Sequence, residues 1–323
     1  MIFMKTFLLK FRYIAMMLLL ISLISFIAIH AAPNSFFGAG ELNPNMTEEA
    51  IAQLKAVYGL DKPLYRQYTD WIVNLAQLNF GISFVTGADV SSEIAKRLPI
   101  TLLINIFSLL LVFAISIYLG IKAARSHGSW LDYAIRQLSL VSFAMPSFYL
   151  ALLLMLFFSV ELELLPIAGL HSVELKEGFS YYSDMAWHLI LPIGVMVFVS
   201  LGSMIVYIRS LTLEILKSDY YYFARSRGLS ESILLRRYIL RNLIPPVVTL
   251  LGLSLPGLIG GSVILETIFS IEGMGQLFYL SALSRDYPVI MGILIITAFL
   301  TLLGNMLADM LLLKLNPYAK RES

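Results

Sequence analysis

The sequence contains no cysteine and few charged residues. Zero Cys in 323 residues excludes a disulfide framework, thiolate metal sites and thiol catalysis. Charged side chains make up only 14% of the chain and hydrophobic ones 59%, whereas soluble globular proteins average about 25% charged and about 45–50% apolar residues. The composition therefore predicts an integral membrane protein.

Motifs of several enzyme classes are absent as well. No Gly-Lys dipeptide occurs, so the chain lacks the G-x-x-x-x-G-K-[ST] loop that holds ATP phosphates. Neither H-E-x-x-H nor G-x-S-x-G occurs, which removes two common hydrolase signatures. The histidines are scattered along the chain and fit interfacial side chains better than ligands: His30, His127, His171 and His188. We expect no catalytic residue, metal site or cofactor in this chain.

Six apolar stretches are long enough to cross a bilayer. A helix needs about 20 apolar residues to span the hydrocarbon layer, and each stretch is free of Asp, Glu, Lys and Arg. They are residues 13–31, 100–121, 137–160, 189–207, 243–265 and 289–308. The first is longer than the apolar region of a signal peptide, so we expect a retained helix. The sequence predicts an all-α protein with six transmembrane helices.

The distribution of lysine and arginine predicts the orientation. The two tails, the 122–136 loop and the 209–241 loop hold 16 of the 23 basic residues. The alternate segments hold the other seven. Because Lys and Arg are retained on the cytoplasmic side, both termini are expected in the cytoplasm.

The long segment between the first two stretches predicts two short helices outside the membrane. The first is expected from Thr47, an N-cap followed by two glutamates, to Gly59. The second opens at Asp61 and Pro63, and its apolar residues recur at helical spacing on one face. That face consists of Leu64, Tyr68, Trp71, Ile72 and Leu75. It indicates an amphipathic helix at the outer interface, acting either as a scaffold or as a docking surface for a soluble partner.

The most basic segment, 209–241, predicts a helix, a glycine corner and a second helix. Ser218 or Asp219 can cap a short helix that runs through Ala224, and Gly228 ends it because glycine adopts the left-handed conformation without strain. Ser230 can cap the second helix, which runs to a double proline where the next span begins. Its basic residues are Arg236, Arg237 and Arg241. Topology and anionic lipid account for the arginines, but not for the corner.

The residues of this segment resemble the cytoplasmic "EAA" loop of binding-protein-dependent ABC importer permeases, in the first-permease type of the peptide/nickel branch. The matching residues are Asp219-Tyr220, Ala224-Arg225, Arg227-Gly228-Leu229-Ser230 and Leu240-Arg241-Asn242 with Pro245 or Pro246. Outer motifs match too: Tyr58-Gly59-Leu60-Asp61-Lys62-Pro63-Leu64, Glu266-Thr267-Ile268-Phe269-Ser270, Gly273-Met274-Gly275 and Arg285-Asp286-Tyr287-Pro288. The resemblance extends over about residues 1–318.

The resemblance implies a type I ABC importer permease fold with an extracytoplasmic helical segment between helices 1 and 2. It divides the chain into 1–31 (tail and first helix), 32–98 (outer segment), 99–313 (permease core) and 314–323 (tail). Its implied partners are a second related permease, two ATP-binding cassette ATPases and an extracytoplasmic solute-binding protein. ATP and Mg would be held by the partner ATPases.

The resemblance also implies two groups of site residues. The ATPase-coupling loop comprises Asp219, Ala224, Arg225, Arg227, Gly228, Leu229 and Arg241. The extracytoplasmic gate or binding-protein contact comprises Glu266, Gly273, Gly275 and Asp286. Arg225 and Arg227 lie about 200° apart on an ideal helix, so we expect one to contact the ATPase and the other to contact lipid or this chain.

Substrate assignment depends on the outer segment. Residues 60–84 resemble nickel permeases more closely than dipeptide permeases, so nickel or a nickel chelate is the first expectation and di- or oligopeptides are the alternative. A secondary carrier is less favoured because such carriers usually place ionisable groups at mid-membrane, and the six stretches contain no Asp, Glu, Lys or Arg. A non-transporting membrane scaffold is the remaining alternative.

Overall fold

A computed structural model describes residues 2–31, 61–173, 177–254 and 262–315 of the chain. Within these ranges the regular elements are α-helices and two π-helical segments. The one β-bridge found there pairs Ile82 with Asp89. The predicted all-α class is therefore confirmed for the described part of the chain.

Within the described residues, the helices cover most of the predicted apolar stretches and extend beyond them. They are α1 (Ile2–Ala31), α2 (Leu64–Ala76), α3 (Val90–Arg125), α4 (Trp130–Ala144), α5 (Ser147–Met155), α6 (Phe179–Lys217), α7 (Asp219–Ser226), α8 (Glu231–Ile233), α9 (Arg241–Ser254), α10 (Val263–Ile268), α11 (Met274–Ser284) and α12 (Tyr287–Leu315). The π-helical segments are Leu156–Glu161 after α5 and Leu234–Leu240 after α8. Hydropathy marks which residues lie in lipid, and not where a helix ends, so α3 and α6 run well past their apolar stretches.

Among the described residues, three helices are long and apolar enough to cross a membrane. They are Val90–Arg125, Phe179–Lys217 and Tyr287–Leu307. Helix α4 and the run Ser147–Glu161 form a fourth candidate, a pair bent by 100°, and Arg12–Ala28 is a shorter apolar helix. Residues 255–261 of the fifth predicted stretch lie outside the described ranges, so the count of six spans stays a prediction.

The 100° bend lies at a proline. Met145 is extended (φ −85°, ψ 122°) and Pro146 occupies the N-cap of α5. Proline lacks an N–H and disfavours helical geometry in the residue before it, so α4 ends and a new helix begins. The stretch 137–160, predicted as one span, is thus two helices that meet at a large angle.

The chain forms two compact units, one from residues 1–99 with 273–303 and the other from 100–272 with 304–323. In the first unit, α2 packs on α1: the Tyr68 hydroxyl lies 2.9 Å from Ser22 Oγ, and the Phe26 ring contacts Tyr68 and Trp71. The predicted second outer helix is confirmed, and it begins directly after Pro63. The helix predicted from Thr47 to Gly59 lies outside the described residues.

The rest of the first unit is organised around Asp286. Its carboxylate accepts hydrogen bonds from the Ser83 hydroxyl and from Phe84 N–H, the latter at 3.0 Å. Nearby, Gly292 of α12 lies so close to α3 that an added Cβ would come within 2.9 Å of Val90 Cγ1. These contacts fix the loop before α3 against the start of α12.

In the second unit, α4 and α6 pack closely at Gly202. A Cβ on Gly202 would come within 2.8 Å of the Phe143 nitrogen and closer still to the Ser139 carbonyl oxygen. Ser142 completes the contact, since its hydroxyl donates to Phe198 O and accepts from Gly202 N–H at 2.8 Å. Small residues that allow two backbones to approach are typical of helix pairs in membranes.

An ion pair ties the same two helices together near the start of α4 and the end of α6. Arg209 of α6 donates from Nε to Asp132 Oδ1 at 2.6 Å and from a terminal nitrogen to Oδ2 at 2.7 Å. Asp132 is 3% exposed, and it also accepts from Gly128 N–H at 3.1 Å. The bidentate geometry fixes both the distance and the rotation between α4 and α6.

We predict that Gly202→Ala destabilises the protein, whereas Gly194→Ala on the same helix does not. The added methyl at 202 has no room against α4, and overpacking costs about 1–3 kcal/mol. At Gly194 nothing lies within 4 Å of the added Cβ, and alanine favours the helix. Thermal unfolding of the purified variants in detergent measures both, and equal unfolding temperatures would contradict the packing.

We also predict that Asp132→Asn destabilises the protein far more than Asp70→Asn. Removing one partner of a buried ion pair costs about 3–5 kcal/mol because the other charge stays buried. The Asp70–Lys62 pair is 2.7 Å long but half-exposed, and exposed pairs contribute about 0–1 kcal/mol. Both variants lose one carboxylate charge, so a difference between their denaturation midpoints reports the burial of the ion pair and not the change in charge. Similar midpoints for the two variants would refute a structural role for the buried pair.

Candidate functional site

The 209–241 segment forms the predicted helix, corner and helix. Helix α7 spans Asp219–Ser226, and Gly228 turns the chain with φ +74°. The following α8 continues through the π-helical segment into α9. The predicted side-chain caps do not form: the Ser218 hydroxyl donates to Ile215 O at 2.6 Å, and Ser230 occupies an N-cap position without a side-chain hydrogen bond.

The corner requires glycine for its backbone conformation. Gly228 N–H donates to Arg225 O at 3.0 Å, which closes the end of α7. An added Cβ would meet nothing within 4 Å, so space is available. The left-handed conformation costs about 1–2 kcal/mol for a residue with a Cβ, and this cost, rather than a clash, explains the glycine.

One face of the segment packs into the protein. Tyr221 and Ala224 are 5% and 3% exposed, and Leu229 packs at the edge of the same cluster. The cluster also contains Ile121, Ile208, Ile215, Leu234, Ile239 and Leu243. Ala224 is thus a small residue that lets α7 lie close to its own chain. The segment is attached firmly to the helices around it.

The other face is exposed and carries both charge and aromatic rings. Asp219, Arg225 and Arg227 are exposed, and so is Arg241 at the start of α9. Tyr222 and Phe223 are 68% and 66% exposed, and their rings meet edge to face at 6.3 Å. These two aromatic residues were not among those predicted from the sequence. The helical period was the available signal, because it places Tyr222 and Phe223 opposite the buried Tyr221 and Ala224.

The prediction that only one of Arg225 and Arg227 contacts the ATPase stays a prediction. Helix α7 ends at Ser226, and Arg227 is its C-cap with φ −78° and ψ 2°. The Arg227 N–H still donates to Phe223 O at 3.2 Å, so Arg227 lies on the last turn of the helix. Both arginines are exposed on the same segment.

The second helix of the segment differs from the prediction at its end. The boundary with the next span was placed at the double proline, but α9 contains Pro245 and Pro246 within Arg241–Ser254. The π-helical segment Leu234–Leu240 lies immediately before α9. Local π adjustments re-satisfy backbone groups that a proline leaves free, so the helix continues. At the start of the second helix, Glu231 forms an ion pair of 2.5 Å with Arg125 of α3.

Of the predicted gate residues, Glu266 lies in the second unit and is 1% exposed. Its Oε1 accepts from Thr101 Oγ1 at 2.9 Å and from Ser262 Oγ at 2.7 Å. Asn105 extends this cluster by donating to Ser262 Oγ at 3.0 Å. Glu266 therefore joins α10 to α3 through a buried polar cluster.

The other three predicted gate residues lie in the first unit. Gly273 is the N-cap of α11, Gly275 is in its first turn, and Asp286 follows α11. All three are buried, and Asp286 holds the Ser83–Phe84 loop. The four predicted gate residues are thus buried and do not lie on an exposed surface.

His171 and His188, predicted as scattered interfacial residues, both lie near the carboxylate of Asp184. Asp184 Oδ2 is 3.6 Å from His171 Nδ1 and 3.9 Å from His188 Nδ1, and Asp184 accepts from Ser172 N–H and Oγ, each at 2.7 Å. No spacing in the sequence indicated this cluster. Within the described ranges, no group of three or more His, Cys, Asp or Glu is arranged to hold a metal ion.

Comparison with known families covers nearly the whole chain. Residues 116–321 match the model of the binding-protein-dependent transport system inner membrane component. Residues 4–105 match the model of the N-terminal part of such membrane components. Together the two matches include the outer segment, the 209–241 segment and the gate residues.

Three curated relatives agree with these matches. The chain is 38% identical to the oligopeptide transport system permease protein AppB of Bacillus subtilis, over 93% of this chain and 94% of the relative. It is 34% identical to the di/tripeptide permease DppB of Pseudomonas aeruginosa, over 94% of each. The metal-staphylopine import permease CntB of Staphylococcus aureus is 36% identical over 85% of this chain and 84% of the relative. The chain therefore belongs to the inner membrane permeases of binding-protein-dependent ABC importers, in the peptide/nickel branch.

Proposed function

We propose that this chain forms half of the translocation pathway of an ATP-driven importer. A second related permease supplies the other half, two ATPases bind ATP and Mg, and an extracytoplasmic binding protein delivers the solute. The chain spans the membrane six times in a type I permease fold with both termini in the cytoplasm. The charge distribution between loops supports this orientation.

The glycine-cornered segment 219–241 is the contact with the ATPase. The observation that carries this proposal is the division of α7 into a buried face and an exposed face. Tyr222 and Phe223 present large apolar surface on a segment that the charge distribution places in the cytoplasm, and Asp219, Arg225 and Arg227 surround it with charge. Aromatic residues with a polar rim are typical of protein interfaces.

Force from the ATPase reaches the membrane through the buried face of the segment. Tyr221 and Ala224 lie in one buried cluster with Ile208 and Ile215 of α6 and with Ile121 of α3. A close-packed contact transmits displacement instead of absorbing it. ATP-driven movement of α7 would therefore move α6 and α3 with it.

Glu266, Gly273, Gly275 and Asp286 act as outer gate residues rather than as a binding-protein contact. Their burial supports this choice, since an exposed side chain is needed for direct docking. The hydrogen-bonded clusters at Glu266 and Asp286 have defined geometry. Clusters of this kind hold one arrangement until a larger movement separates them.

Nickel or a nickel chelate is the first proposed substrate, and di- or oligopeptides are the alternative. The likeness of residues 60–84 to nickel permeases supports the first. The names of two relatives, an oligopeptide and a di/tripeptide permease, favour the second, and the metal-staphylopine permease favours a metal complex. Charge-free spans suit a pathway that does not bind the solute tightly, so selectivity resides in the binding protein.

For the coupling proposal, we predict that Gly228→Val or Gly228→Pro leaves the protein inserted but abolishes ATP-driven uptake. Valine is strained at φ +74°, and proline also removes the N–H that closes α7.

Phe223→Ala should lower ATPase co-purification because it removes exposed aromatic surface without altering the corner. Uptake and ATPase recovery from membranes measure the two effects.

Gly87→Val is the matched control for these variants. Gly87 has φ +71° and open space around it, so valine causes the same kind of strain away from the 219–241 segment. ATPase recovery should then be normal. Full uptake with Gly228→Val would disprove coupling through the corner. A loss of ATPase recovery in Gly87→Val equal to that in Gly228→Val would disprove it as well. Absence of any ATPase from the purified wild-type complex would favour a secondary carrier or a scaffold.

For the substrate proposal, we predict that deleting the gene abolishes radioactive nickel uptake and leaves dipeptide uptake intact. The comparison is the deletion strain complemented with the wild-type protein or with Gly228→Val. Only the wild-type protein should restore uptake. Loss of dipeptide uptake alone would establish the alternative substrate. Loss of neither would reject both.

A further inference from the structure

An apolar groove of about 630 Å³ lies between α3, the start of α4 and the π-helical segment before α9. Its apolar lining comprises Ala114, Ile117, Ile121, Leu131, Leu235 and Leu240. All of these residues belong to the second unit. The groove follows α3 for more than two turns, so it is elongated along a helix that is long and apolar enough to span the membrane.

The charged lining of the groove lies at the end of α3. Lys122 and Arg125 are in its last turn and Ser126 follows it, in the loop predicted to face the cytoplasm, while Tyr118 lies one turn before Lys122. Lys122 Nζ lies 3.4 Å from the Tyr118 hydroxyl. Arg125 is already paired with Glu231, whereas no described carboxylate lies within salt-bridge distance of Lys122. The groove thus has an apolar length and one positively charged end.

We propose that this groove binds an anionic phospholipid of the cytoplasmic leaflet. The phosphate accepts hydrogen bonds from Lys122, with the Tyr118 and Ser126 hydroxyls beside it, and an acyl chain lies along Ile117, Ile121 and Leu131. Two observations select a lipid. Along α3, the charged end of the groove corresponds to the headgroup of a lipid and the apolar length corresponds to its acyl chain. In addition, the protein lies in the inner membrane. A juxtamembrane lysine attracts anionic headgroups by about 1 kcal/mol.

The bound lipid contacts two elements that have different roles. One wall of the groove is α3, and another wall is formed by Leu235 and Leu240 of the π-helical segment. That segment directly follows α8, whose Glu231 pairs with Arg125. A lipid in the groove therefore fills the space beside the Arg125–Glu231 pair and joins α3 to the 219–241 segment.

The test uses the assembled transporter in phosphatidylcholine nanodiscs doped with a photoactivatable phosphatidylglycerol. Crosslinked peptides are mapped by mass spectrometry, and photoactivatable phosphatidylcholine is the comparison probe. We expect phosphatidylglycerol to label the groove several-fold more strongly. Lys122→Gln should lower that labelling about fivefold, the factor that corresponds to the loss of one juxtamembrane lysine.

Three further variants separate the parts of the proposal. Ala114→Trp keeps every charge but fills the apolar length, so it should also lower labelling. Lys122→Arg should retain it, because arginine keeps the positive charge that Lys122→Gln removes. Arg136→Gln removes an exposed charge of α4 that lies outside the groove lining and should have no effect.

Equal labelling by both lipids would overturn the proposal, because headgroup charge would then play no part. Unchanged labelling in Lys122→Gln or in Ala114→Trp would overturn it as well. A photoreactive residue at position 114 that crosslinks to the second permease instead of lipid would assign the groove to the permease interface. These outcomes do not depend on uptake, so they are independent of the proposed substrate and coupling roles.

Discussion

The contact between α4 and α6 determines how the second unit is built. Gly202 brings the two backbones together, and the Asp132–Arg209 pair holds them at the end of α6. Only Ser218 separates α6 from α7. The orientation of the 219–241 segment is therefore inherited from α6. A shift or rotation of α6 against α4 would have to break a buried bidentate pair, which is costly where water does not compensate the charges.

The 219–241 segment shows how one short helix can be both anchored and exposed. Helical periodicity separates Tyr221 and Ala224 from Tyr222 and Phe223, so burial on one side requires exposure on the other. The Gly228 corner then returns the chain to the protein, where Leu234 and Ile239 enter the same cluster as Ala224. Two attachments on either side of the corner prevent the segment from pivoting alone.

Local signals in the sequence predicted much of this architecture, whereas long-range contacts were not predictable. The apolar stretches, the α2 helix after Pro63 and the corner at Gly228 each depend on a few neighbouring residues, and all were predicted. Asp132 and Arg209 are 77 positions apart, and no pattern in either loop indicates the pairing. The same holds for His171 with Asp184 and His188. Pro146 is a local signal for the break between α4 and α5, but no local pattern in the sequence gives the angle of 100° between them.

Two buried carboxylates show how a chain with charge-free spans still obtains defined geometry. Glu266 and Asp286 lie in different units, yet each is surrounded by hydroxyl or backbone donors. Burial of a carboxyl group without such donors would cost several kcal/mol, so each cluster is stable only when its donors are in place. Thr101 comes from α3 and Ser262 precedes α10, which makes the Glu266 cluster depend on two separate elements. Thr101 lies within α3, the same continuous helix whose last residue, Arg125, pairs with Glu231. The Glu266 cluster and the 219–241 segment are therefore both attached to one helix of the second unit.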